Sequence, residues 1–348
     1  MQQRINLCLV YLGRKGGGSR LALYLIEEIK RSATIHLISS LVSEQNVETP
    51  SFLEEGSVLI KNIGFSGESV DCLISPLFSA KKINKLFKVG SGDICLIVMS
   101  SPRDYLITWR LRRSGVKIIR IIHDFNRHPG DIWPRDHQIR KLILRSDYVI
   151  TLSQHIQRKI SSAFPSIPTV SVSLPAIIRE SQIKPPEVLP SQYILFIGRI
   201  REYKGVPALL AAHNLGISSH GLPLVIAGEG SEKFQDQDNV TFINRWLSDS
   251  EILWLISNSD LIVFPYIEAS QSGLIPIAIR LNKKIVVSNL EGLLEQCKTY
   301  ANAIILDNLD SKYLAEKIQC AISQAVIGPE IKAENSDFIF AICNLLTN

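Results

Sequence analysis

The stretch Tyr193-Ile-Leu-Phe-Ile-Gly198-Arg199-Ile-Arg-Glu-Tyr203-Lys204-Gly205 constrains this chain most strongly. It reads as a short apolar strand running into a glycine and two spaced cations. A second stretch, Pro265-Tyr-Ile-Glu268-Ala-Ser-Gln271-Ser272-Gly273, lies downstream where a partner loop of the same domain is expected. Open α/β sheets bind ligands at the carboxyl ends of their strands. Gly198-Arg199 followed by Lys204 therefore places two cations at that edge. Arg as a planar fork and Lys as a point charge together suit a diphosphate.

The rest of the chain fits a two-domain α/β plan. Its 348 residues suffice for two domains with separate cores. With 46% hydrophobic and 20% charged residues the composition is that of a globular protein. No apolar run reaches the roughly 18 to 20 residues of a membrane-spanning helix. The apolar start, Ile5 to Leu12, leads into Gly13-Arg-Lys-Gly16-Gly17-Gly18 and reads as a first core strand, not a signal peptide. Six scattered cysteines without a CxxC pair point to reduced, buried thiols, not zinc or a disulfide framework.

In the first half, Ile5–Tyr11, Ile35–Ser39, Ile94–Met99, Ile118–Ile122 and Tyr148–Leu152 read as strands, with a helix over Ser19–Arg31 and another over Arg135–Arg145. A polar, proline-punctuated run containing Pro175, Pro185, Pro186 and Pro190 marks a linker. The pattern then restarts. Tyr193–Ile197, Leu224–Ala227, Val240–Ile243, Leu261–Phe264 and Lys284–Val287 read as strands, and Val206–His213, Asp249–Asn258 and Leu309–Ala325 as helices. Ser248-Asp-Ser-Glu251 has the form of a capping box. The expected division is a first lobe over 1–176, a linker over 177–191, a second lobe over 192–327 and a tail over 328–348 whose helix packs back on the first lobe.

Five ordered elements of the second lobe resemble the GT-B glycosyltransferases, in particular retaining family 4 with its "glycosyl transferases group 1" domain. They are Gly198-Arg199-(x)4-Lys204-Gly205, Leu224-Val-Ile-Ala-Gly228-Glu-Gly230, Asn239-Val-Thr-Phe-Ile-Asn-Arg245-Trp-Leu-Ser-Asp249, Ser259-Asp260-Leu-Ile-Val-Phe-Pro265 and Lys283-Lys-Ile-Val-Val-Ser288-Asn-Leu-Glu-Gly292. The resemblance implies two Rossmann-like lobes with parallel sheets facing a central cleft. It also implies that Arg199 and Lys204 neutralise the donor diphosphate as it leaves, with Gly198 among the donor-binding residues. Preorganised cations can stabilise that developing charge without a metal. Ser272 and Gly273 would offer backbone N–H groups at a helix start, and Arg245 would lie on the nucleobase side.

One departure stands out. Many members carry two glutamates eight residues apart, where this sequence has Ser270 and Ala278. It resembles instead the subgroup with a P-Y-x-x-A-S/T-Q-S-G loop, which makes Glu268 and Gln271 the candidate sugar contacts.

In the first lobe, Gly16, Gly17 and Gly18 follow a strand and open a helix, without the G-x-G-x-x-G spacing of a dinucleotide loop. A tight turn and a loop beside the donor phosphates are both open readings of the residues; the resemblance implies the second for Gly16 and Gly17. His123 follows the Ile118–Ile122 strand and matches the histidine that lies near the donor sugar in the family, where an imidazole can donate to a sugar hydroxyl or share a developing charge in catalysis. Asp124, His128 and Ser153 would line the acceptor side. Asp236-Gln-Asp238 has the form of a metal-binding D-x-D, but it sits in a polar loop and reads as a chance match. No metal and no cofactor are expected, the nucleotide sugar being the donor substrate.

Residues 1–176 carry 24 Lys+Arg against 14 Asp+Glu, whereas 177–348 carry 14 against 19. The basic first lobe calls for an anionic partner. Lipid headgroups serve, each Lys or Arg near such a surface contributing about 1 kcal/mol, and no nucleic-acid-reading motif accompanies the charge. The expectation is a cytoplasmic enzyme, peripheral at the inner face of the cell membrane, that moves a hexose to a glycan or polyprenyl-diphosphate-linked acceptor in bacterial surface-polysaccharide assembly. A nucleotide-sugar epimerase of the same fold and a non-catalytic partner subunit are the alternatives.

Overall fold

The structure is a computed structural model that describes residues 5–11, 16–31, 35–43, 57–60, 92–100, 104–126, 136–177, 188–215, 222–230 and 237–328. They fall into two compact units, the first up to Ser173 and the second from Leu174. Most of the expected linker, 178–187, lies outside the described residues. So do His128, Asp236 and the expected helix within 329–348.

The first unit is built on seven parallel strands: β1 (Ile5–Tyr11), β2 (Ile35–Ser43), β3 (Ser57–Ile60), β4 (Ile94–Met99), β5 (Lys117–Ile122), β6 (Tyr148–Thr151) and β7 (Thr169–Ser171). Their order across the sheet is β3-β2-β1-β4-β5-β6-β7. Helices α1 (Gly17–Arg31), α2 (Asp104–Arg113), α3 (Asp136–Ile143) and α4 (Gln154–Ala163) alternate with the strands. The strands predicted from apolar runs are present, β2 extending to Ser43. Strands β3 and β7 and helices α2 and α4 were not predicted.

In the second unit β8 (Ile194–Ile197), β9 (Leu224–Ala227), β10 (Val240–Ile243), β11 (Leu261–Phe264), β12 (Ile285–Ser288) and β13 (Ala303–Leu306) form a parallel sheet in the order β10-β9-β8-β11-β12-β13. Its helices are α5 (Val206–Leu215), α6 (Asp249–Asn258), α7 (Ile275–Arg280), α8 (Glu291–Cys297) and α9 (Ser311–Ser323). Every residue of β8, β9, β11 and β12 is buried. That explains why these strands read as unbroken apolar runs: helices cover both faces of a parallel sheet, so no residue alternates out to water.

Local signals hold where they were strong. The Ser248 hydroxyl accepts from Glu251 N–H while the Glu251 carboxylate accepts from Ser248 N–H at 2.8 Å, closing the predicted capping box of α6. Cys8, Cys95 and Cys297 are free and buried, and burial pushes the Cys297 thiol up to about 12. Cys320 departs from the expectation of buried thiols, since it lies on the exposed side of α9.

The topology positions the candidate site. In each sheet the strand order reverses direction at one place, between β1 and β4 and between β8 and β11. Chains leave such neighbouring strands toward opposite faces, opening a crevice at their carboxyl ends. In the second unit this brings the loops after β8 and β11 side by side, although Gly198 and Pro265 are far apart in sequence.

Candidate functional site

In the second unit, β8 ends at Ile197 and the chain turns at Gly198, whose φ of 140° favours glycine. Arg199 is exposed. A single turn of 3-10 helix, Glu202–Lys204, then closes on Gly205 in the left-handed region. From that turn Lys204 places its ammonium 3.5 Å from the ring centroid of Tyr266, with the Tyr203 ring at 5.2 Å. A cation over an aromatic face gains about 0.5 to 2 kcal/mol, more as water is excluded. Tyr266 is fully buried and shares a hydrogen bond with Ser272; burial drives its hydroxyl pKa upward, so it stays neutral. Tyr266 thus connects the predicted cation Lys204 to the predicted Ser272 loop.

Three further contacts hold that loop. Ile267 and Glu268 donate their N–H groups to the Tyr203 carbonyl at 2.8 and 3.3 Å. Gln296 on α8 meets the backbone of Ser272 twice, its Oε1 accepting from Ser272 N–H and its Nε2 donating to Ser272 O, both at 2.9 Å. At the start of α8, Gly292 leaves no room for a side chain, because a Cβ there would lie 2.0 Å from the Ser270 carbonyl oxygen. The loop is therefore clamped between the Tyr203 turn and α8.

The clamp changes the expected anion contacts. Ser272 N–H is committed to Gln296 Oε1, so a phosphate oxygen would meet the Gly273 side of the turn instead. Gly273 is exposed at the entry to α7. Glu268 is exposed and Gln271 half-buried on the same loop. Arg245 lies on a separate turn after β10, where its Nη2 pairs with Glu251 Oε1 at 2.7 Å and its Nη1 donates to the Trp246 carbonyl. The Arg245 hydrogen bond, aided by Ser248, holds the Glu251 carboxyl below its ordinary pKa.

In the first unit, α1 begins at Gly17 directly after the Gly16 turn, where φ is 147°. Ser19 turns its hydroxyl back on that turn, accepting from Gly16 N–H and donating to Gly16 O. Gly18 has a packing reason to be glycine, since a Cβ would come within 2.8 Å of Met99 Cε. Among the described residues no neighbour crowds a Cβ placed at Gly16 or Gly17.

His123 follows β5, and its Nε2 lies 3.0 Å from the Val98 carbonyl of the adjacent β4. A carbonyl only accepts, so Nε2 carries the proton and Nδ1 is the acceptor of the neutral ring. The expected donation to a sugar hydroxyl is therefore corrected for the neutral ring, whose one N–H is taken up by the Val98 carbonyl. Burial lowers the His123 pKa, opposed in smaller measure by Asp124 and by the Val98 hydrogen bond. Its unfolded pKa is about 6.5, so the folded state binds the proton less readily than the unfolded chain. Stability from this group is full above pH 6.5 and declines as pH falls through the window below it. Acid titration of unfolding should show that decline flattened in His123→Gln, and an unchanged slope would refute the assignment.

Ser153 also has a different job from the expected one. Its hydroxyl is buried at the N-cap of α4, accepting from Ile156 N–H at 3.3 Å, and it drops from the acceptor side. Sequence reasoning missed Tyr266 and Gln296, and also the fully buried Arg120, whose Nη1 lies 3.4 Å from Ser100 Oγ. The aromatic before Ile267-Glu268 was a usable signal for Tyr266. Gln296 had none, because its partner lies on another element.

The family described as Glycosyl transferases group 1 matches residues 191–324, the second unit. No curated protein sequence matches significantly. Among solved structures, Anabaena Alr3699/HepE in complex with UDP and glucose is similar at a TM-score of 0.67 and 15% identity, over 99% of this chain and 96% of that one. Sucrose-phosphate synthase from Thermosynechococcus elongatus is similar at a TM-score of 0.66 and 14% identity, over 92% and 90%. A trehalose-6-phosphate protein from E. coli bound with UDP-2-fluoro glucose is similar at a TM-score of 0.64 and 13% identity, over 98% and 94%. The matched domain lies within the second unit, and the chain as a whole shares with these structures the GT-B fold of two parallel α/β sheets.

Proposed function

We propose that the protein transfers a sugar from a nucleotide-diphosphate sugar to a glycan or lipid-linked acceptor, with retention of anomeric configuration and without a metal. The observation that carries this reading is the junction of the loops after β8 and β11. Tyr266 holds the Lys204 ammonium beside the Ser272-Gly273 turn there, and Arg199 follows Gly198 on the same sheet edge. Departure of a nucleoside diphosphate concentrates negative charge on the β-phosphate, and two cations already in place stabilise it more than they stabilise the intact donor. Similar folds that hold UDP with glucose or UDP-2-fluoro glucose support a nucleotide-sugar donor.

Retention, metal independence and the sugar contacts of Glu268 and Gln271 are what the resemblance to family 4 implies. His123 would lie near the donor sugar and Asp124 on the acceptor side. The basic first lobe motivates a lipid-linked acceptor in bacterial surface-polysaccharide assembly and a place at the inner membrane face. Among the described residues no helix is long and apolar enough to cross a membrane.

The test is transfer from a panel of nucleotide sugars to an extracted lipid-linked acceptor, with the product anomer read by NMR and a parallel reaction in EDTA. A retained anomer formed at the same rate in EDTA is expected. Inversion, or loss of activity in EDTA, would refute the corresponding part of the proposal. Rearranged sugar from donor alone would favour the epimerase.

A further inference from the structure

We propose that the exposed face of α2 and α3 in the first unit is the surface on which the protein docks to anionic phospholipid headgroups. Helix α2 buries Ile107, Thr108 and Leu111. Its outward stripe, at successive turns, is Tyr105, Trp109, Arg112 and Arg113, all exposed. A solvent-facing stripe on a helix is ordinarily polar throughout. This one carries two aromatic rings, with Trp109 51% exposed.

Guanidinium groups cover both rings. Arg113 lies 4.9 Å above the Trp109 ring, and Arg145, just past α3, lies 3.7 Å above the Tyr105 ring. The second contact joins the end of α3 to α2, and Leu144, the residue before Arg145, is 57% exposed. Arg112 reaches Asp147 at 3.3 Å, which ties the same two segments together. Arg140 and Lys141 continue the charge along the exposed side of α3. Asp136 and Asp147 are the acidic residues on these segments with described side chains.

Amphipathic rings with guanidinium partners are the side chains that settle at headgroup depth. Trp and Tyr sit at the polar–apolar boundary, and Arg binds phosphate through two N–H groups. A protein partner could use the same residue types. The charge excess, however, is not confined to this patch: it extends over residues 1–176 at 24 cations to 14 anions. An extended anionic surface engages such a distributed excess at once, whereas a protein epitope engages only its contact area.

The proposal gives a residue basis to the lipid-linked acceptor and rests on that reading for its purpose, while its geometry is independent. It is tested by flotation of the full chain with vesicles of phosphatidylcholine alone or mixed equally with phosphatidylglycerol, at low and raised salt. The wild type should bind only the mixed vesicles and release in salt. Trp109→Ser with Leu144→Ser, and Arg113→Glu with Lys141→Glu, should each weaken binding about tenfold or more. Both variants should keep the nucleotide-sugar thermal shift of the wild type, which separates failure of docking from failure of the donor site. If either variant misfolds, Trp109→Phe read by brominated-lipid quenching serves instead, and the quenchable tryptophan signal should disappear. Equal binding to both vesicle types, undiminished binding by the variants, or no binding at low salt would overturn the proposal. The last result would direct the face to a protein partner.

Discussion

Lys204→Met and Arg199→Ala should each lower the rate of sugar transfer by about 10² to 10³ while leaving the fold intact. The effect is large because each cation acts where charge develops. Removing one forfeits an interaction specific to the transition state, so kcat should fall more than KM rises. Arg199 is exposed, and its loss leaves no cavity. Lys204 also packs over Tyr266, which is why methionine is preferred to alanine there: the stem is kept and only the ammonium goes. Steady-state kinetics with a saturating acceptor, beside thermal unfolding, make the check. Near-normal turnover in both variants would remove the diphosphate site from these residues.

Gly205→Ala should strongly destabilise the second unit. Gly205 sits at φ 69°, and a Cβ there would lie 1.8 Å from the Pro265 carbonyl oxygen. The left-handed conformation costs an alanine about 1 to 2 kcal/mol, and overpacking typically adds 1 to 3. No rotamer change can relieve a clash with backbone. A loss of about 2 to 5 kcal/mol is a large part of the stability of an ordinary domain. Because Pro265 begins the clamped loop, any relief of the clash moves Tyr266 and Ser272, so donor binding should weaken as well. Gly328→Ala, where none of the described residues lies within 4 Å, should be close to neutral by denaturant unfolding. Equal stability of the two variants would contradict the close approach.

Part of the second unit is legible from residues alone. Buried parallel strands such as β8 and β11 announce themselves as short apolar runs because both faces are covered. Gly198, Gly205 and Gly228 were visible as punctuation, but their reason was not. Gly228 is glycine because a Cβ would come within 1.9 Å of the Gly198 carbonyl oxygen, a contact between neighbouring strand ends. Strand β13 was harder to see, since only Leu306 of its four residues is fully buried. Helix α2 was hidden by Trp109 and its arginines, which blur the apolar stripe.

The candidate site divides in the same way. Arg199 and Lys204 stood out because cations after a strand end have a chemical meaning, and the loop at 265–273 stood out by composition. What holds them did not. Gln296 reads the Ser272 backbone from α8, and Tyr266 supports Lys204 from beneath, both through tertiary contacts with no local pattern. Ser153 shows the converse error. A serine between a strand and a helix suits a site by family position, yet the simplest use of that place is the N-cap it occupies.

The central claim is that Lys204 and the loop it faces bind the diphosphate of a nucleotide sugar. Thermal unfolding of the wild type and of Lys204→Met with a panel of nucleotide sugars tests it most directly. At a hundred times its Kd the correct donor should stabilise the wild type by about 2.7 kcal/mol, and the variant should lose most of that gain at the same concentration. An equal shift in both proteins, or no shift with any nucleotide sugar, would contradict the account.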